Sequence, residues 1–128
     1  MLLALTGATG FIGQHLLREL PKRDYRLRVL LRRPTAVPTW TSSAVIGDLA
    51  RPQNMSSALA GVDAVIHSAG LAQAMSGVPE DDYRVINTEA TIGLARAARR
   101  SALNPPRAAL LPERGLFSSL SVQQSGFR

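Results

Sequence analysis

Residues 7–13, Gly7-Ala8-Thr9-Gly10-Phe11-Ile12-Gly13, place three glycines at the spacing G-x-x-G-x-x-G. The chemistry open to such a stretch is the binding of phosphate by main-chain N–H groups. One glycine lets the chain turn sharply off a strand. Another lets the backbone approach a pyrophosphate with no side chain in the way, and the third allows a helix to pack closely on a sheet. The start of the following helix then offers N–H groups and a partial positive charge to the phosphates. A glycine triplet has weight only when it follows a strand and opens a helix, and both neighbours are legible here. The sequence contains no Gly-Lys-Ser/Thr, which excludes a Walker-type loop. It contains no cysteine, which excludes thiolate metal sites and a thiol nucleophile, and two histidines, His15 and His67, do not make a histidine-rich metal site.

The elements that must hold this loop follow from the apolar pattern. Leu2 to Leu5 is a short continuous apolar run, the mark of a strand covered on both faces. From Phe11 a helix is expected, with Ile12, Leu16 and Leu20 on one stripe and Pro21 as its stop. Tyr25 to Leu31 reads as a second strand and Ala44-Val45-Ile46 as a third. A small helix is expected from Pro52 through Leu59, closed by Gly61, and Val62 to His67 reads as a fourth strand. Asp81 or Asp82 can cap a long helix to about Arg100, with Tyr83, Ile86/Asn87, Ala90, Leu94 and Ala97 on its inward stripe. Strand and helix alternate throughout, which predicts an α/β fold on a parallel sheet.

Near Ser101 the pattern breaks. Asn104-Pro105-Pro106 opposes a helix, and Leu110-Leu111-Pro112 is short for a strand. Residues 101–128 therefore read as an irregular tail, with a partial fifth strand expected at 116–120.

The 128 residues are the size of one domain, and 45% of them are hydrophobic, enough for a core. The opening run Met1 to Leu5 is too short to span a bilayer and lacks the charged start of a secretory signal, so no membrane association is expected. The absence of cysteine fits a reducing, cytoplasmic setting. The formal charge is +6, carried almost wholly by arginine. Aromatic residues make up 5% and are not interleaved with the basic ones, so the charge does not read as a nucleic-acid surface.

Thr6-Gly7-Ala8-Thr9-Gly10-Phe11-Ile12-Gly13 resembles the signature of the extended short-chain dehydrogenase/reductases, the NAD-dependent epimerase/dehydratase family. Three further stretches in the right order carry the resemblance to about residue 100. Gly47-Asp48-Leu49 resembles the family's motif after the third strand, where the Asp and its neighbour flank the adenine. Asp63 to Gly70, with Ser68, Ala69 and Gly70 at its end, resembles the D-x-V-I-H-x-A-A/G stretch beside the cofactor. Tyr83 to Thr91 resembles the Y-x-x-x-N-x-x-G-T start of the long helix, with Ala90 in place of the usual Gly.

The resemblance implies a Rossmann-like, doubly wound parallel sheet. As an incomplete form of that fold, the chain should have about four to five strands in the order 3-2-1-4, and residues 1–100 should be its NAD(P)-binding half. It further implies a cofactor site made by Gly7, Thr9, Gly10, Phe11, Ile12, Gly13, Arg32, Asp48, Leu49, Ser68, Ala69, Gly70 and Asn87. Arg32, where an NAD-selective site often has a carboxylate for the ribose hydroxyl, tilts the expectation from NAD towards NADP; the same arginine can instead point to solvent. Asp48 can accept from an adenine amino group or cap the helix after it. His67 reads as a packing residue. Asn87 reads as a site residue or as a satisfied core amide.

The family's chemistry also needs a Tyr-x-x-x-Lys pair and a hydroxyl residue. Only Tyr25 and Tyr83 are present, neither with lysine four positions on, and Lys22 is the sole lysine. Ser119 aligns with the family's catalytic serine.

Three readings follow from the sequence. The first is the N-terminal portion of an epimerase, dehydratase or reductase acting by hydride transfer on a nucleotide-sugar-like or hydroxy/carbonyl substrate, inactive as this chain. The second is a non-enzymatic NAD(P)-binding or redox-sensing module. The third is a reading frame that loses register after Ser101. An unpaired sheet edge and uncovered helix faces add an expectation of self-association.

Overall fold

Side chains alternate along the first strand, and the alternation sets the layers. Leu2–Thr6 forms β1, buried along its whole length in a computed structural model that describes residues 1–70, 81, 84–101 and 107–110. Ala4 faces one core cluster and Leu5 the other. Arg26–Leu31 forms β2, in which Leu30 joins the Ala4 side while Val29 and Leu31 join the Leu5 side. In β4, Ala64–His67, Val65 and Ile66 divide in the same way. Apolar side chains on both faces are what a parallel sheet covered by helices on two sides requires.

The helices supply the two covers. On the Leu5 side, α1 (Phe11–Glu19) packs Leu16 and Leu17 against the sheet. On the Ala4 side, α2 (Met55–Ala58) contributes Ala58, and α3 (Ala90–Ser101) contributes Leu94, Ala97 and Ala98. Pro21 ends α1 as the sequence predicts and opens a single 3-10 turn, Pro21–Arg23, with Asp24 in the left-handed conformation before β2.

Among the described residues all strand pairs are parallel, and the order is β3-β2-β1-β4-β5, with β3 at Ser42–Val45 and β5 at Arg107–Leu110. This is the α/β, Rossmann-like order 3-2-1-4 expected from sequence, extended by one strand. Successive strands run outward in both directions from β1, so the C-terminal ends of β1 and β4 flank the point where the winding reverses. Asp63 fixes the opposite edge of the same strands: its carboxylate accepts from the Leu2 N–H at 2.7 Å.

Two departures from the sequence reading matter here. The fifth strand lies at Arg107–Leu110, pairing Ala64 with Arg107 through His67 with Leu110. Its Ala-Ala-Leu core has little intrinsic strand preference, and pairing with β4 rather than propensity sets its conformation. The strand expected at 116–120 lies outside the described residues, as do Ser119 and Tyr83. Second, the approach to α3 is a π-helical turn, Arg84–Glu89, rather than a regular α-helix. Such turns insert one extra residue per turn and recur near functional sites.

Candidate dinucleotide site

The three glycines after β1 do different work. Gly7 has φ +71°, and a Cβ there would lie 2.5 Å from the backbone of Ser68 and Ala69, so both conformation and space demand glycine. A Cβ on Gly13 would lie 1.9 Å from the Gly7 carbonyl oxygen, so this glycine lets α1 press against the turn. At Gly10 the nearest atom to such a Cβ is the Gly7 carbonyl oxygen at 3.4 Å, an ordinary contact. Its dihedrals, φ −76° and ψ 172°, are open to any residue. The protein itself therefore does not require glycine at position 10.

Gly10 is also the N-cap of α1, and no side chain caps the helix there. The Gly10 N–H closes the turn on the Gly7 carbonyl at 3.0 Å, and Gln14 holds the loop by donating to the Thr9 carbonyl at 2.9 Å. Thr9 and Gly10 are exposed, Ile12 is half-buried, and Phe11 is 94% exposed. The helix start thus presents its N–H groups at an open surface flanked by an uncovered aromatic ring, an arrangement suited to an anion joined to a flat or apolar group.

The end of β4 stands beside this loop. The Ser68 hydroxyl is buried and donates to the Thr6 carbonyl at 2.8 Å, tying the two strand ends together rather than facing outward. Ala69 is half-buried and Gly70 exposed, and a Cβ on Gly70 would lie 3.0 Å from Asn87 Oδ1. The structure thus brings Gly70 and Asn87 together. Asn87 is exposed, however, and so is neither an inward-facing residue nor a core amide. The π-helical turn rotates it off the stripe that continues through Ala90, Leu94 and Ala97, all buried.

Beneath these residues runs a hydrogen-bonded chain that the sequence did not reveal. His67 Nδ1 lies 2.6 Å from the Thr6 hydroxyl, and His67 Nε2 lies 3.0 Å from the Thr91 hydroxyl. Thr91 in turn donates to the Asn87 carbonyl at 2.8 Å. Because the Thr91 proton is committed to that carbonyl, its oxygen accepts from Nε2–H. Nδ1 then accepts from Thr6, giving a neutral imidazole with the proton on Nε2. Burial pushes the His67 pKa below its ordinary value, in keeping with the neutral ring. His67 is therefore a structural residue, as its place in the sequence implied. Its specific task is to link β1, β4 and the turn that carries Asn87. A threonine ending an apolar strand, with a second threonine four residues after Asn87, was the available signal.

On the other side of the loop, Arg32 follows β2 directly and Asp48 follows β3 by three residues. Gly47, at φ +71°, turns the chain between β3 and Asp48. Asp48 Oδ1 accepts from the Ala50 N–H at 3.0 Å, forming a local turn. The N-cap of α2 is Asn54, so Asp48 is not the cap of that helix. Asp48 Oδ2 lies 3.7 Å from an Arg32 Nη, and both side chains are exposed. Leu49 packs partly into the core beneath them. The described residues contain no cluster of three or more metal-ligating side chains, and no helix among them is long and apolar enough to cross a membrane.

An open glycine-rich loop between the first strand of a 3-2-1-4 sheet and a helix, with polar residues ending the neighbouring strands, is the arrangement of the doubly wound α/β class. The model of the NAD dependent epimerase/dehydratase family matches residues 3–111, and the chain belongs to that family. It is 37% identical over 99 residues to the ceramide reductase of Caulobacter vibrioides, a match covering 75% of this chain and 30% of that protein. Among solved structures it resembles a short-chain dehydrogenase/reductase superfamily protein from Agrobacterium tumefaciens with bound NAD. That match has a TM-score of 0.67 at 27% identity, covering 86% of this chain and 32% of the other. It also resembles MoeE5 in complex with UDP-glucuronic acid and NAD, with a TM-score of 0.68 at 30% identity, covering 84% and 35% of the two chains. The chain spans about one third of the length of these relatives.

Proposed function

We propose that residues 1–100 are the NAD(P)-binding half of an oxidoreductase or isomerase of this family, with Gly10 under the cofactor pyrophosphate. The observation that carries this reading is the contrast among the glycines. Gly7 and Gly13 are required by the protein's own atoms, whereas at Gly10 the space is open. A ligand approaching the start of α1 gives position 10 a reason to lack a side chain. In this reading the main-chain N–H groups of Phe11, Ile12 and Gly13 bind phosphate, and Thr9 and the exposed Phe11 ring border it. Asp48 and Leu49 flank the adenine, and Ala69, Gly70 and Asn87 line the path towards the nicotinamide, with Ser68 holding that strand end in place from beneath. The dinucleotide, when bound, supplies the hydride donor or acceptor. Arg32, exposed at the end of β2, supports a preference for NADP over NAD through charge-assisted contact with a 2′-phosphate.

The substrate of the complete protein is a hydroxy or carbonyl compound, including the nucleotide-sugar-like class. A ceramide reductase and a UDP-glucuronic acid complex among the relatives support that range. Ser119 is the proposed catalytic hydroxyl. A cysteine-free sequence supports a cytoplasmic setting. Exposed Val45 and Trp40 near the β3 edge support self-association.

The test is equilibrium dialysis of the purified chain against NAD and NADP. Binding should be measurable for the wild type and lost in Gly10→Val, with the circular dichroism spectrum unchanged. Equal affinity in the variant removes the pyrophosphate from position 10.

A further inference from the structure

Arg32 and Asp48, assigned above to opposite ends of the adenosine moiety, are an ion pair with each other. Arg32 Nη and Asp48 Oδ2 are 3.7 Å apart, with side-chain exposures of 69% and 50%. The other carboxylate oxygen is held by the Ala50 N–H, so the side chain is oriented and does not simply float. Gly47 fixes the turn that sets Asp48 opposite the end of β2. We propose that Asp48 is a specificity-determining residue that acts by holding Arg32, restraining the preference for NADP that the arginine alone would give.

The inference rests on the dinucleotide reading above and follows from electrostatics. A 2′-phosphate can recruit Arg32 only by weakening its pairing with Asp48, whereas NAD makes no such demand. The pair therefore opposes binding of NADP and leaves NAD unaffected. Exposed pairs of this kind are weak, worth about 1.5-fold to fivefold in an equilibrium. Asp48→Asn keeps an oxygen for the Ala50 N–H, and so keeps the turn, while removing the charge. Any contact between residue 48 and adenine is common to both cofactors and cancels in the ratio of their affinities.

The experiment measures dissociation constants of NAD and NADP by equilibrium dialysis for wild type, Asp48→Asn, Arg32→Gln and the double variant. The ratio Kd(NAD)/Kd(NADP) should rise about 1.5-fold to fivefold in Asp48→Asn at low ionic strength. It should stay near the Arg32→Gln value when Asp48→Asn is added to that variant. An unchanged ratio in Asp48→Asn, with both cofactors bound, overturns this inference and leaves the dinucleotide reading standing. A rise that persists without Arg32 overturns the action through Arg32. If the wild type binds neither cofactor, both readings fall.

Discussion

Gly13 sits so close to Gly7 that a Cβ on the first would fall 1.9 Å from the carbonyl oxygen of the second, and 2.6 Å from its carbonyl carbon. The first turn of α1 is therefore seated on the turn off β1, with backbone against backbone. Neither partner is the movable end of a flexible side chain.

Gly13→Ala should for this reason be strongly destabilising, whereas Gly10→Ala should fold normally. Overpacking of this kind costs about 1–3 kcal/mol, and more where backbone must shift. That is a large part of a typical domain's stability. Urea unfolding followed by circular dichroism checks the contrast. Equal midpoints for the two variants would show that the close approach is not held in solution.

The imidazole of His67 predicts how stability responds to acid. Burial lowers its pKa in the folded protein below the ordinary 6.5. Between the folded and unfolded values the unfolded chain binds the extra proton, so stability rises with pH. The contribution is complete above about 6.5 and is lost as pH falls through the folded pKa. Glu19, whose pKa is lowered chiefly by its hydrogen bond to Lys22, acts in a separate window below the ordinary 4.5. Urea midpoints measured from pH 7 down to 5 should fall for the wild type and stay flatter for His67→Gln. Parallel curves would remove His67 as the cause.

Thr91→Val should break the chain from His67 to Asn87 at its midpoint. The exchange keeps the branched shape but deletes both the acceptor of the His67 Nε2–H and the donor to the Asn87 carbonyl. A buried N–H left unpaired costs about 1–3 kcal/mol. The π-helical turn should also loosen, so amide exchange over residues 84–91 should speed up in the variant. Exchange unchanged there would mean that the turn is held by its packing and not by Thr91.

Much of this fold is legible in the sequence, for physical reasons that differ by residue. The Gly7–Gly13 loop lies between a strand and a helix whose apolar periods are distinct, so sequence placed it without help. The parallel α/β fold follows from the alternation of elements and the crossover rules, and its order 3-2-1-4 from the family resemblance. The π-helical turn was not legible, because one inserted residue over Arg84–Glu89 leaves too few periods to register. Its trace was an inward stripe that had to admit Ile86 or Asn87 at one place. Of the two roles the sequence allows Asp48, adenine acceptor or helix cap, the second falls, since Asn54 takes the cap position and Asp48 closes its own turn. The strand at Arg107–Leu110 escaped because alanine carries little strand preference and prolines precede it. The alternation of the preceding elements was the better guide to it.

Turnover by this chain lacks its proton-transfer groups. Proton transfer to or from a hydroxyl substrate in this family requires Tyr-x-x-x-Lys, and here Tyr25 is followed four positions on by Val29 and Tyr83 by Asn87. Geometry removes Tyr25 and Lys22 as well, whereas Tyr83 lies outside the described residues and is set aside by the missing lysine alone. Tyr25 precedes β2, whereas the glycine loop lies at the C-terminal ends of the strands; six residues at about 3.3 Å each put roughly 20 Å between those edges. Lys22 lies on that same far edge, exposed and paired with Glu19 at 2.7 Å. Neither side chain can reach a reacting atom beside Gly70 and Asn87. The purified 128-residue chain should therefore bind dinucleotide yet show no change in nicotinamide absorbance with hydroxy, carbonyl or nucleotide-sugar substrates. Activity that co-elutes with the chain through size exclusion and disappears in Gly10→Val would show that another group in these residues supplies the acid and base.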